Sequence, residues 1–192
     1  MSHIEVRGLW KSFGGSPLFR GLNLSFPAGE VTALMGPSGI GKTTLLHILM
    51  GLVPADAGEI AGIPSPRSAV FQEDRLIPDL SAARNAALGC PQAPGQPVIL
   101  EHLSRVGLAG DVDTLASALS GGMARRVAVV RACLAPSKMI FMDEPFAGLD
   151  AATARQVMEY IKDVRGGRTL LAVVHDQEHA EGLGGDIIDL SQ

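Results

Sequence analysis

Short, continuous apolar runs alternate along the chain with stretches whose apolar residues recur at helical spacing. Val31-Thr32-Ala33-Leu34-Met35, Met139-Ile140-Phe141-Met142 and Leu170-Leu171-Ala172-Val173-Val174 contain no charged residue. Such runs are expected of strands covered on both faces, and therefore of the centre of a largely parallel sheet. The segments Ile4 to Phe13 and Leu18 to Phe26 mix polar and apolar positions and predict an antiparallel pair at one side of that sheet. Ala69-Val70-Phe71 and Ile187-Ile188 are shorter strand candidates. Between Leu52 and Gln72, Pro54, Gly58, Gly62, Pro64 and Pro66 rule out a long helix and predict loop with a short strand. From Asp74 to about Ala135 the pattern turns helical, with Val127, Val130 and Leu134 on one face of a segment that starts near Ser120. Pro91, Pro94 and Pro97 make Gly89–Pro97 a linker within it. After Asp150, the residues Ala154, Val157, Met158, Ile161 and Val164 follow helical spacing until Gly166-Gly167 stops the helix. The alternation predicts an α/β domain with a helical insertion.

Composition narrows this to one folded domain. A chain of 192 residues buries roughly 70% of the surface its unfolded form exposes, so a core needs no disulfide or metal staple. With 46% hydrophobic and 19% charged residues, disorder and collagen-like structure are excluded. The balance of 16 Lys+Arg against 20 Asp+Glu lacks the basic face that nucleic-acid backbones require, so no nucleic-acid partner is expected. Cys90 and Cys133 have no metal-ligand spacing and read as two reduced, buried thiols of a cytosolic protein. The start, Met1-Ser2-His3-Ile4-Glu5, has neither a basic nor an apolar leader region, and no uncharged stretch reaches the ~20 residues that span a bilayer. A chain that is neither secreted nor membrane-spanning is expected. The 23 glycines exceed an average share of about 7%, which points to backbone that closely approaches something or adopts positive φ.

Three motifs carry chemistry. Gly36-Pro37-Ser38-Gly39-Ile40-Gly41-Lys42-Thr43 follows the strand Val31–Met35 and precedes the apolar helical stretch Thr44–Leu52. A glycine loop between a strand and a helix start gathers free N–H groups and the positive end of the helix dipole, which makes a cradle for phosphate. Lys42 supplies a point charge toward β- and γ-phosphates, and the Thr43 hydroxyl is placed to ligate Mg²⁺. The second motif is the strand Met139–Met142 running into Asp143-Glu144-Pro145. Two carboxylates ending a buried strand are costly unless they meet a cation or a reacting group, so Asp143 is expected in a Mg²⁺ shell and Glu144 at the attacking water. The third is Leu119-Ser120-Gly121-Gly122-Met123 at the head of the helix Ala124–Leu134. Ser120 is a good N-cap and the glycines leave N–H groups open, which suits a second anion site, although alone the triplet reads as a helix start.

In order and spacing these motifs resemble the ATP-binding cassette subunits of ABC transporters: the phosphate loop, the Leu119–Gly122 signature, Phe141-Met142-Asp143-Glu144, the turn Ala147-Gly148-Leu149-Asp150, and single residues Gln72 and His175. The resemblance runs from Ile4 to about Leu190 and implies a P-loop NTPase fold of the ABC ATPase type. Its α/β core would comprise 1–73 and 136–192, with a mainly parallel, RecA-like sheet and an antiparallel β subdomain, while 74–135 would form the helical signature subdomain. It implies ATP contacts from Gly36 through Thr44, and Phe13 as the aromatic that stacks on adenine. Gln72 would touch Mg²⁺ and the attacking water, and His175 would contact the γ-phosphate and orient Glu144. Isolated, Phe13 would read as core, Gln72 as surface and His175 as a strand-end histidine. Two subunits of the family pack head to tail, alike or related, so Ser120, Gly121 and Gly122 would meet the ATP held by the partner, with Asp150 at the interface. Integral membrane permease subunits and a substrate-binding protein are the implied partners, and the inner face of the cell membrane is the implied location.

Two departures stand out. Met123 occupies a place where the family usually has Gln, and a thioether cannot replace the amide's hydrogen bonds. The turn Ala147-Gly148-Leu149-Asp150 replaces the usual Ser-Ala-Leu-Asp or Gly-Ala-Leu-Asp. Within the family, the compact Gly58–Gln72 segment, the run Phe71–Pro78 and Asp143-Glu144-Pro145-Phe146 look most like the importers of the nitrate, sulfonate and taurine group, which includes importers of vitamin-precursor pyrimidines. An exporter or lipoprotein-release ATPase uses the same domain and stays open as an alternative. A non-transport cassette usually carries coiled-coil, zinc-binding or duplicated segments, none of which is found, and a P-loop kinase lacks the signature. The chain ends soon after Ile187-Ile188, so no C-terminal regulatory domain is expected.

Overall fold

A computed structural model describes residues 3–90 and 95–191. Part of the expected linker, residues 91–94, and the first two residues lie outside the described residues. The expected antiparallel pair is β1 (His3–Phe13) and β2 (Ser16–Pro27). It does not join the parallel sheet: β1 also pairs with β4 (Ala57–Ala61), making a separate three-stranded sheet in the order β2-β1-β4. The reason lies in the alternation of β1, which buries Ile4, Val6 and Leu9 and exposes Arg7 and Trp10. A strand with one polar face cannot enter a sheet covered on both sides.

That covered sheet contains β3 (Val31–Met35), β5 (Arg67–Val70), β6 (Met139–Asp143), β7 (Thr169–Val173) and β8 (Asp186–Asp189). Its order is β5-β6-β7-β3-β8 and all four pairings are parallel. The helices are α1 (Lys42–Met50), α2 (Ala82–Ala87), α3 (Gln96–Arg105), α4 (Gly121–Leu134), α5 (Ala151–Val164) and α6 (Gln177–Leu183). The segment between Leu52 and Gln72 supplies two strands, β4 and β5, which go to different sheets. The first helix starts at Lys42 rather than Thr44. It stops at Gly51, whose φ of 78° and bond to the His47 carbonyl close the last turn and leave Leu52 exposed. Cys133 is buried as expected, but Cys90 is only half-buried.

Two apolar clusters cover the parallel sheet. Ile140 and Met142 pack in one cluster with Val127 and Val130 of α4 and Val157 and Ile161 of α5. Met139 and Phe141 pack in the other with Leu45, Leu46 and Leu49 of α1 and with Ile4, Val6 and Leu9 of β1. Side chains alternate across a strand, so Asp143 falls on the α1 face of β6, the face that carries Thr43.

Candidate active site

In open α/β sheets the ligand crevice lies outside the carboxyl ends of the strands, and here β3, β6 and β7 all deliver site residues at that edge. β3 runs into the phosphate loop. Gly41, the N-cap of α1, has φ 108°, and a Cβ there would lie 2.7 Å from Phe19 Cζ on β2, so only glycine fits. No side chain caps α1, which leaves its first-turn N–H groups available to an anion. Lys42 is 5% exposed, and its Nζ donates to the carbonyls of Gly36 at 2.7 Å and Pro37 at 3.0 Å. The ammonium is thus folded back over the loop.

A cleft of about 430 Å³ opens there, lined by Phe13, Leu18, Ser38, Gly39, Gly41, Lys42, Thr43, Thr44, Gln72, Glu144 and His175. Residues from five distant parts of the chain meet in it. Gly36 and Pro37 border a neighbouring cleft with His175 and Asp189, and Ile40 shapes the loop through its N–H bond to Pro37.

The acidic strand end divides its two carboxylates between different environments. Asp143 is fully buried, and neither carboxylate oxygen has a hydrogen-bond partner among the described residues. Burial pushes its carboxyl above the ordinary range; the Thr43 hydroxyl, close by but outside hydrogen-bond geometry, pulls the other way, and Glu144 adds to the upward push. An orphaned carboxylate beside a hydroxyl is the kind of oxygen set that a hard divalent cation takes, with phosphate oxygens and water completing its shell. Glu144 faces the cleft through a left-handed backbone, φ 52°, which costs about 1–3 kcal/mol in a residue other than glycine. Its N–H bond to the Val173 carbonyl, 3.0 Å, holds it there. The His175 Nε2–H donates to Glu144 Oε1 across 2.8 Å, just beyond the end of β7. Backbone strain at a carboxylate that a histidine orients in a cleft is characteristic of a reacting group.

Gln72 lies just past the end of β5, and its loop is held by residues that the sequence reading missed. Arg125, nearly buried on α4, donates to the carbonyls of Phe71 (2.6 Å) and Gln72 and lies 3.1 Å from Asp74. Six residues further along α4, Arg131 donates to the carbonyls of Asp74 (2.7 Å) and Arg75 (2.8 Å). Arg75 has φ 47° and stacks its guanidinium 3.9 Å above Phe71. The available signal is the set of three arginines flanking the apolar run Val127–Val130, Arg125 and Arg126 before it and Arg131 after it.

Ser120 and Asp150 act locally as helix caps. Ser120 Oγ accepts from the Met123 N–H at 3.3 Å, and Asp150 accepts from the N–H groups of Ala152 and Thr153 and from the Thr153 hydroxyl. Neither lines the cleft, nor do Gly121 and Gly122. A Cβ on Gly122 would lie 3.3 Å from the Gly148 carbonyl, so the head of α4 and the turn before Asp150 form one surface.

A glycine loop feeding an uncapped helix, with an orphaned carboxylate at the end of a nearby parallel strand, defines a P-loop nucleotide hydrolase. The chain belongs to the ABC transporter family, whose profile matches residues 19–147, and is an ABC ATPase. It is 36% identical over 198 aligned positions to the aliphatic sulfonates import ATP-binding protein SsuB 2 of Agrobacterium fabrum, covering 98% of this chain and 76% of that one. A second relative, SsuB 1 of Nocardia farcinica, is 38% identical with 98% and 78% covered. The dimeric ATP-binding cassette MJ0796, solved in a post-hydrolysis state bound to ADP and Pi, superposes with a TM-score of 0.84. It is 28% identical, with 97% of this chain and 93% of that one covered.

Proposed function

We propose that this chain binds MgATP in the cleft between Phe13 and His175 and hydrolyses it to drive a membrane importer. The observation that carries this reading is the pairing of Lys42 and Thr43 with two carboxylates of opposite character, one buried and orphaned, the other exposed to the cleft and oriented by His175. Lys42 and the N–H groups of residues 36–44 take the phosphates, and Phe13 stacks on the base. Thr43, Asp143 and Gln72 are the residues that would hold Mg²⁺, which when bound offsets charge on the β- and γ-phosphates. Glu144 accepts a proton from the attacking water, and the bond from His175 keeps its carboxylate in place for that step.

Ser120, Gly121 and Gly122 then serve the nucleotide of a second subunit, packed head to tail with Asp150 at the interface. Their exclusion from the chain's own cleft supports this. Hydrolysis removes the contacts that bridge the subunits, and the loop after Gln72 passes the motion to permease subunits. The relatives named for aliphatic sulfonate import favour an importer, fed by a substrate-binding protein and energised from the cytoplasmic face of the membrane. Among the described residues no helix is long and apolar enough to cross a membrane, so in this reading the permease provides the anchor. Purification together with a permease from the same organism tests the assignment. ATP turnover should rise on assembly and rise again with the transported substrate and its binding protein; turnover indifferent to the membrane protein would contradict it.

A further inference from the structure

We propose that Asp56 is a positioning residue for Phe13, setting the aromatic wall that meets the purine although the carboxylate itself lies outside the cleft. This rests on the reading of Phe13 as the base-stacking residue. Phe13 is the last residue of β1, 54% exposed, with Gly14 and Gly15 after it, and it belongs to neither apolar cluster. Core packing therefore does not fix the ring. The strand ladder also thins there: pairing with β4 ends at Trp10, the register with β2 shifts between Lys11 and Ser12, and Phe13 holds the terminal pair of β1 with β2, opposite Ser16.

One residue adds a second tie at this end of the strand. Asp56 Oδ2 accepts from the Ser12 N–H at 2.6 Å and the Ser12 hydroxyl at 2.8 Å, while Oδ1 accepts from Lys11 Nζ at 2.8 Å. The Asp56 N–H donates to the Trp10 carbonyl at 2.9 Å, so three consecutive residues leading to Phe13 are tied to a single side chain and its backbone. Lys11 Nζ, which also donates to the Pro54 carbonyl at 2.9 Å, lies 5.1 Å from the centroid of the Phe13 ring, within cation–π range. The carboxylate thus holds both the backbone before the ring and the cation above it. The Lys11 and Ser12 bonds hold the Asp56 carboxyl down at about 2, so it is ionised throughout the neutral range.

Isothermal titration of the full chain with MgATP and with magnesium tripolyphosphate, which has the phosphates without the base, separates positioning from general damage. Phe13→Ala should weaken MgATP about tenfold, the scale of one lost base–aromatic stack. Asp56→Ala should weaken MgATP about three- to tenfold, leave tripolyphosphate unchanged, and add nothing in the Phe13→Ala background. Asp56→Asn, which keeps one acceptor, should fall between. Equal weakening of both ligands, an undiminished effect in the Phe13→Ala background, or no effect on MgATP overturns the proposal. If Phe13→Ala alone leaves MgATP binding intact, the base-stacking reading fails and the proposal with it. Asp56→Asn and Lys11→Met carry the same comparison should Asp56→Ala not fold.

Discussion

Asp143 shows at the level of one residue what a buried, unpartnered acid costs the fold. Its carboxylate is fully buried without a hydrogen-bond partner among the described residues. An acid whose pKa is raised on folding opposes folding once it ionises, so the penalty grows as pH climbs above the ordinary carboxylate value near 4. Asp143→Asn should therefore stabilise the nucleotide-free protein at neutral pH by about 1–2 kcal/mol, or roughly 2–8 °C in melting temperature for a chain of this size. The gain should shrink toward pH 4, and hydrolysis should be lost. Melting curves across that range check it, and a variant no more stable than the wild type would contradict the strain. Met123 makes the opposite point. Its backbone N–H serves the Ser120 cap and its side chain rests partly buried against the core, so the thioether is not what shapes the head of α4. Met123→Gln should raise or leave unchanged the ATPase rate of the permease-bound protein, and a large fall in steady-state turnover would speak against that.

Among the elements, α4 links the signature to the loop after Gln72 through Arg125 and Arg131. The two ends of the Arg125–Asp74 pair should respond differently to mutation. Burial pushes the Asp74 carboxyl up despite Arg125, so Asp74→Asn should change stability by less than about 1 kcal/mol. Arg125→Gln uncovers two backbone carbonyls and a carboxylate, and should cost about 3–5 kcal/mol in chemical denaturation. This linkage also marks where the sequence stops being legible. The central strands and the phosphate loop could be read from the chain because continuous apolar runs and a glycine loop depend only on near neighbours. The Arg125 clamp joins residues more than fifty positions apart, and neither arginine carries a local pattern that names its partner. For the same reason the hydrophobic pattern alone puts β1 and β2 at one side of the parallel sheet, whereas the family resemblance implies the separate antiparallel subdomain that is found: alternation shows that one face is buried, not what buries it. The bond between Glu144 and His175 was foreseen only through the family resemblance, since two strands must be aligned side by side to bring them together.

At the scale of the whole molecule, the head of α4 does not line the cleft of its own chain, and in the proposed reading each site completes the other in a second copy. The cleft gathers glycine-loop, lysine, carboxylate and histidine groups on one side, while the head of α4 and the turn before Asp150 present open glycine backbone elsewhere. Two copies joined head to tail would complete both sites, with the nucleotide between them. Glu144→Gln preserves the shape of the site and removes the proton acceptor, so bound ATP should persist and hold the copies together. Light scattering on that variant with MgATP is the most direct test. The expected result is a particle of twice the 20.0 kDa chain mass that returns to monomer when ATP is replaced by ADP, with turnover reduced about a hundredfold or more. A monomer with MgATP and undiminished turnover would contradict both the shared site and the role of Glu144.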